Sequence, residues 1–426
     1  LKSTPPNATT QVLIIGYVWP EPNSSAAGSH MVSFIKLFLA QGWQVCFASP
    51  AQLTEHMVDL QTMGVKVRAI PLNDSAFDSF AAELNPDIVL FDRFMMEEQF
   101  GWRISQHCPN AIKLLDTEDL HSLRHARHIA HKAERSMTDE DLASDYALRE
   151  VASIYRCDLS FIISDFELAL LQQHFNVPAQ QLCYCPFMLD LANLDNQVPS
   201  FDQRTDFISI GNFRHAPNWD AVLWLRETIW PLIRKQLPQA QLHIYGAYPP
   251  PKATALHNPK LGFLVKGWAP SAEQAVKQSR ILLAPLRFGA GIKGKLTDAM
   301  LWGTPSVTTE IGAEGMAEAD QWPGVVVHSA EAFADAAVAL YNDQQRWQLC
   351  QQQAVSVLKQ RFDGEQIGQR VIAAVTELQA NLSQHRLRNF TGAMLQHHHH
   401  KSTQYMAQWI EAKNKLLALT DENGSD

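Results

Sequence analysis

The sequence predicts an α/β protein built from two halves of similar size, joined by a short linker with a cleft between them. Three observations carry this. Short apolar runs of strand length alternate with segments whose apolar residues recur at helical spacing, the pattern of parallel sheets covered by helices. A polar, proline-containing passage over 190–206 interrupts that alternation and divides the chain into two halves of similar size. A turn rich in small residues follows a strand in each half, and such turns between two joined domains line the usual place for a ligand.

Taken in order, residues 11–15 form a buried-strand run and 31–41 carry apolar residues at helical spacing. Further strands are expected over 44–48, 66–70, 88–91, 111–115 and 159–163. Thr138 and Asp141 have the spacing of a capping box for the helix that follows. Beyond the 190–206 linker come a strand over 207–210, a helix over 218–237, a strand over 241–245, a proline-rich loop at 249–251 and a strand over 263–266. A strand over 281–284, a glycine turn, a helix and a strand over 306–309 complete the second half. The expected domains are 1–195, 200–376 and a helical C-terminal extension over 377–426. No internal repeat has a fixed period.

Composition narrows the function classes. The 426 residues are 46% hydrophobic and 19% charged, ordinary for a soluble globular protein. A net charge of −9 argues against a dedicated nucleic-acid binder. The six cysteines include no CxxC pair, which favours a reducing compartment. Neither a signal peptide nor a membrane-spanning run is evident, so a cytoplasmic location is expected.

The most informative segment is 281–316, ILLAPLRFGAGIKGKLTDAMLWGTPSVTTEIGAEGM. Glycines let a backbone approach an anion closely, and a helix beginning there aims free N–H groups and a positive dipole end at it. Arg287, Lys293 and Lys295 add cations suited to a phosphate or diphosphate. Asp298, one helical turn on, suits a ribose hydroxyl. Gly289 to Gly294 also match G-x-G-x-x-G, with Glu310 after the next strand, which keeps an NAD-binding oxidoreductase as a rival.

The whole phrase resembles the donor-site signature of retaining glycosyltransferases of family 4, which have the GT-B fold. PLRFGAGIKGKLTDAM, then Gly303-Thr304-Pro305, then GAEGM follow that family's order and spacing. Residues 208–225 (ISIGNFRHAPNWDAVLWL) are similar to the opening of its C-terminal domain, and 13–45 to its N-terminal strand, acceptor-side loop and first helix. The resemblance implies donor nucleotide and diphosphate binding by Gly211, Arg287, Gly291, Lys293, Lys295, Asp298 and Glu314. It implies an acceptor-side loop at Ala27 and Gly28. One departure stands out: the first Glu of the family's Glu-x7-Glu motif falls on Ala290. That keeps open a second rival, a GT-B protein that binds nucleotide sugar without transferring it.

In the first half, LLDTEDLHSLR (114–124) ends a strand with polar groups at the mouth of the sheet. Asp116, Asp119 and His121 are the candidates for acceptor binding or proton handling, with helix capping the alternative for Asp119. Asp116 and Asp119, like Asp139 and Asp141, have spacings that invite Mg²⁺, but no tightly bound metal or cofactor is expected. The run His397 to His400 reads as a solvated linker, and the His-rich stretch 121–131 as a polar helix face. The basic residues of 124–135 offer a peripheral contact with the cytoplasmic membrane surface. The resemblance implies a bacterial-type hexosyltransferase that takes a nucleotide-diphosphate sugar as donor and a glycan or lipid-linked acceptor. It also implies retention of configuration, by front-face attack, in surface polysaccharide biosynthesis.

Overall fold

The computed structural model describes residues 9–192, 194 and 198–422. The first sheet contains β1 (Gln11–Ile15), β2 (Gln44–Ser49), β3 (Lys66–Ala69), β4 (Ile88–Asp92), β5 (Ile112–Asp116), β6 (Leu159–Ile162) and β7 (Leu182–Tyr184). All pair in parallel, in the order β3-β2-β1-β4-β5-β6-β7. The second contains β8 (Thr205–Ile210), β9 (Leu242–Tyr245), β10 (Phe263–Gly267), β11 (Ser279–Ala284), β12 (Ser306–Thr308) and β13 (Gly324–Val326). It too is parallel, in the order β10-β9-β8-β11-β12-β13. Strand order therefore reverses beside β1 and again beside β8, and each reversal opens a crevice at the strands' carboxyl ends.

The period-two geometry of a strand explains why these runs are apolar throughout. Leu13 and Ile15 point into one cluster with Val89, Phe91 and Leu115, while Val12 and Ile14 point into another with Phe34, Leu90 and Leu114. The first half's helices used below are α1 (Ala26–Ala40), α2 (Ala76–Leu84), α3 (Phe94–His107), α4 (His121–Lys132), α5 (Asp145–Arg156) and α6 (Asp165–Gln173). In the second half α7 (Ala216–Trp224) runs through a π-helical turn, Leu225–Ile229, into the segment Trp230–Gln236. Pro231 lacks the N–H that would continue the ladder, which accounts for the widened turn. The glycine turn leads into α8 (Gly294–Leu301) and the half ends with α9 (Gln344–Arg361).

The chain then returns to its starting domain. On α10 (Gly364–Arg388), Ile367, Val371, Val375 and Leu378 line one face and join the cluster of Val12, Ile14 and Phe34. Residues 364–376, assigned to the second domain from sequence, thus pack on the first sheet. Arg386 fixes the helix's end by pairing with Asp158 at 2.7 Å. A final helix, α11 (Phe390–Glu422), packs on α3 and α5. His397 to His400 lie inside this helix and not in a linker. Two short strands went unforeseen, β7 and β13, each of three residues.

Candidate functional site

On the donor side, strand β8 stops at Gly211. A Cβ there would come within 2.7 Å of both Lys295 Nζ and Asn218, so only glycine admits the lysine to the strand end. Lys295 occupies the first turn of α8 and donates to Asn218 Oδ1 at 2.7 Å. Asn218 Nδ2 in turn donates to Asn212 O at 3.0 Å. No carboxylate among the described residues balances this ammonium, and burial pushes its pKa down to about 7. One turn further, the half-buried Asp298 has no side-chain partner among the described residues, and burial pushes its carboxyl up to about 7. Two half-buried groups of opposite sign on one helix face, neither in an ion pair among the described residues, are unusual. Each lacks the counter-charge that would repay its desolvation.

The N-termini of α1 and α8 meet at this point. A Cβ on Gly294 would fall 2.4 Å from Ala26 Cβ, so the two helices approach head to head. Facing positive dipole ends favour an anion between them. Ser25 caps α1 by accepting from Gly28 N at 3.1 Å, and Gly28 is close-packed, a Cβ there lying 2.5 Å from the Glu21 backbone. The half-buried Ala27 sits in the same first turn.

Gly291 has φ +64°, the left-handed region, and a Cβ would lie 2.7 Å from Asp119 Cβ across the cleft. Its N–H donates to Glu167 Oε1 at 2.8 Å, and the same oxygen accepts from Leu120 N at 3.0 Å. Glu167 thereby ties the mouth of the first sheet to the glycine turn. Burial, with Asp119 nearby, pushes its carboxyl up to about 8. Lys293 donates to Gly291 O at 2.7 Å, and burial lowers it to about 8 despite Glu314 nearby. Glu314 is engaged by the first domain, because Arg127 grips both its oxygens at 2.8 and 2.7 Å and also donates to Gly289 O at 2.9 Å. The His-rich face of α4 is the closing surface itself, with His128 stacked on Phe288 at 4.6 Å. Tyr248 adds a contact on the opposite flank, donating to Glu21 at 2.9 Å. Arg287 does not join the cluster; it turns outward and pairs with Asp220 at 2.6 Å. Ala290 is buried against the first domain's core, so position 290 brings no carboxylate into the cleft.

On the acceptor side, Asp92 and Asp116 end neighbouring strands at paired positions. Asp116 is 1% exposed, and burial together with the Asp92 charge pushes it up to about 7. Glu118 is likewise raised, by burial and by Asp116. Arg93 supplies the local cation, 3.5 Å from Asp92. Arg93 and Glu118 hold φ of 69° and 59°, strained for non-glycine residues at about 1–3 kcal/mol each. His30 lies 3.8 Å from Asp116, neutral because burial lowers it to about 3. Both ring nitrogens of His30, Asp92 Oδ1, Asp116 Oδ2 and Glu118 Oε1 are buried without hydrogen-bond partners among the described residues. Such a set marks a polar site that a hydroxylated ligand or water would satisfy.

Asp119 does not cap α4. Burial alone would raise it, but Arg124, with which it is hydrogen-bonded, and His121 and His215 together hold it below the usual carboxylate range. The capping falls to Glu150, which accepts from His121 N at 2.9 Å and Ser122 N at 3.0 Å, and to Glu167 at Leu120 N. His121 is held 3.7 Å from Asp119, and burial lowers its pKa to about 3.

Sequence reasoning missed Asp92, His30, Arg127 and Asn218. Asp92 carried a signal, as an acid directly after an apolar parallel strand. His30 carried none, because its spacing to Phe34 on α1 reads as core. Among the described residues no group of three or more His, Cys, Asp or Glu has the geometry to hold a metal ion.

A family model described as Glycosyl transferases group 1 matches residues 204–343, within the second domain. No curated protein matches the chain. Solved structures match its whole architecture. Sucrose-phosphate synthase from Thermosynechococcus elongatus is 17% identical, with a TM-score of 0.64 over 87% of this chain and 99% of that one. Anabaena HepE in complex with UDP is 13% identical, with a TM-score of 0.66 over 87% and 100%. The lipopolysaccharide outer core galactosyltransferase WaaB is 13% identical, with a TM-score of 0.55 over 86% and 99%. The fold is GT-B, two Rossmann-like domains facing across a cleft, as expected from the sequence.

Proposed function

We propose that this chain transfers a sugar from a nucleotide-diphosphate sugar to a glycan or glycolipid acceptor, with retention of configuration, in surface polysaccharide biosynthesis. The observation that supports it best is the pair of groups on α8 that, among the described residues, are uncompensated: an ammonium without a counter-charge and a carboxylate without a donor. A nucleoside diphosphate supplies both, its phosphates to Lys295 and its ribose hydroxyls to Asp298. Gly211 leaves room for the phosphates, Gly291 and Lys293 shape the turn, and the facing helix ends stabilise the leaving diphosphate. Glu314, held by Arg127, reports closure of the cleft. Arg287 would have to leave Asp220 to contribute. Complexes of HepE with UDP and with UDP-glucose support a donor of this class.

Asp116 and its neighbours Asp119 and His121 stand on the opposite wall, where an acceptor hydroxyl can give up hydrogen bonds and a proton. In front-face transfer the departing diphosphate oxygen takes that proton, the acceptor oxygen bonds to the anomeric carbon from the leaving group's side, and closure excludes water. A cytoplasmic enzyme peripheral to the membrane fits lipid-linked acceptors. The second reading, donor binding without transfer, rests on Ala290. The NAD reading draws less support, since the side chain of Glu310 is 74% exposed and lies 3.6 Å from His328.

The test is thermal stability against UDP, GDP, ADP, CMP and NAD, with Asp298→Ala alongside. A ligand at a hundred times its dissociation constant adds about 2.7 kcal/mol. One nucleoside diphosphate should stabilise the wild type and not the variant. Stabilisation by NAD alone would overturn the proposal, and transfer of labelled sugar to acceptor extracts separates turnover from mere binding.

A further inference from the structure

The last helix presents a face that the fold leaves uncovered. At 100° per residue, Gly392, Gln396 and Ala407 lie on one side of α11 and pack inward. A Cβ on Gly392 would fall 2.1 Å from Tyr155 O, Gln396 donates to Arg156 O at 2.9 Å, and Ala407 is 4% exposed. Opposite them stand Phe390 (71% exposed), Met394, Tyr405 (64%), Trp409 (61%) and Leu416 (63%). Met406 (58%) and Leu417 (52%) are exposed off that stripe, but single exposed apolar residues need no explanation, whereas five on one stripe of one helix do.

The charges on that stripe have one sign. Lys401 and Lys413 are exposed among the apolar residues, Lys413 lying 5.4 Å from the Trp409 ring. Glu411 is on the other side, bonded to Ser75 and Lys415. No carboxylate falls on the outward face among the residues whose side chains are described. In a chain of net charge −9 that separation is notable. No helix among the described residues is long and apolar enough to cross a membrane, so α11 would lie in an interface and not span it.

We propose that the outward face of α11 docks in the surface of an anionic lipid bilayer, with Tyr405 and Trp409 at headgroup depth and the lysines on lipid phosphates. A second copy of the chain fits less well, because pairing two such faces brings lysines together without a counter-charge. In the basic stretch 124–135, the candidate from sequence, three of the four Lys and Arg side chains are ion-paired, Arg124 with Asp119, Arg127 with Glu314 and Arg135 with Asp141, and Lys132 is exposed. Because α11 is fastened to the first domain, this docking would bring the acceptor side to the membrane. The inference does not depend on the glycosyl-transfer reading.

Flotation of the full chain with vesicles tests it, using phosphatidylcholine alone and phosphatidylcholine with about a third phosphatidylglycerol. Wild type should float with the anionic vesicles, and less as salt is raised. The triple variant Tyr405→Glu, Trp409→Glu, Leu416→Glu should lose at least about tenfold in partitioning. Lys401→Glu with Lys413→Glu should lose roughly fivefold per lysine on anionic vesicles only. Both variants should keep the wild-type melting temperature and nucleotide response. If the triple variant misfolds, the lysine variant decides alone. Wild type that ignores anionic vesicles, variants that float as well as wild type, or a wild-type dimer that the triple variant dissolves would each overturn the proposal.

Discussion

Replacing Lys295 by Met should make the empty protein more stable and unable to hold its ligand. Lys295 falls from 10.5 to about 7 on folding because it is buried without an acid. At about 1.4 kcal/mol per tenfold, the ceiling on this cost is about 5 kcal/mol. The Asn218 hydrogen bond and the partial solvation of the cleft reduce it to about 1–3 kcal/mol. A lysine depressed in the folded state leaves the unfolded chain binding more protons between about pH 7 and 10.5, so wild-type stability rises across that window. Lys295→Met carries no such dependence. Urea melts should therefore find the variant more stable at pH 6.5, with the gap closing towards pH 10. Adding a nucleoside diphosphate should reverse the order, because only wild type gains. A variant less stable than wild type at pH 6.5, or a gap that does not change with pH, would refute the reasoning.

Other residues make separate demands. Gly291→Ala forces a side chain at φ +64° against Asp119, and should cost about 1–3 kcal/mol and hinder closure; its kcat should fall further than its affinity for nucleoside diphosphate. Arg127→Ala removes the two-pronged grip on Glu314, and the radius of gyration in solution scattering should rise, with a stability loss of about 1–3 kcal/mol. Asp116→Asn should stabilise the protein by about 1–3 kcal/mol at pH 8 and by nothing near pH 3. A carboxyl raised from 3.8 to about 7 loses stability as pH rises through that window, and asparagine does not. Parallel urea melts at the two pH values check the difference.

Much of the fold was legible because parallel strands buried on both faces read as continuous apolar runs, as in Val12 to Ile15 and Ile281 to Ala284. Strands β7 and β13 were not, since three residues carry too little pattern to separate them from loop. The return of α10 to the first sheet was hidden for another reason: its apolar face has helical spacing but says nothing of which core it meets. At the site, the placement of Gly211 after β8 and of Lys295 and Asp298 on α8 was readable because strand, turn and helix set local geometry. The outward turn of Arg287 was not, because it depends on where α7 places Asp220, 67 residues away. Glu167 and Gly291 are 124 residues apart, so their hydrogen bond belongs to the closed pair of domains and to no single segment.

Calorimetry of UDP binding at pH 8, in buffers of different ionisation enthalpy and against uridine alone, tests the central claim most directly. A lysine poised near pH 7 gains its proton when a diphosphate arrives, so UDP should bind with uptake of up to one proton, most of it absent in Lys295→Met. Uridine should bind far more weakly and take up none. UDP binding that moves no proton, or that Lys295→Met leaves unchanged, would contradict the placement of the donor diphosphate on α8.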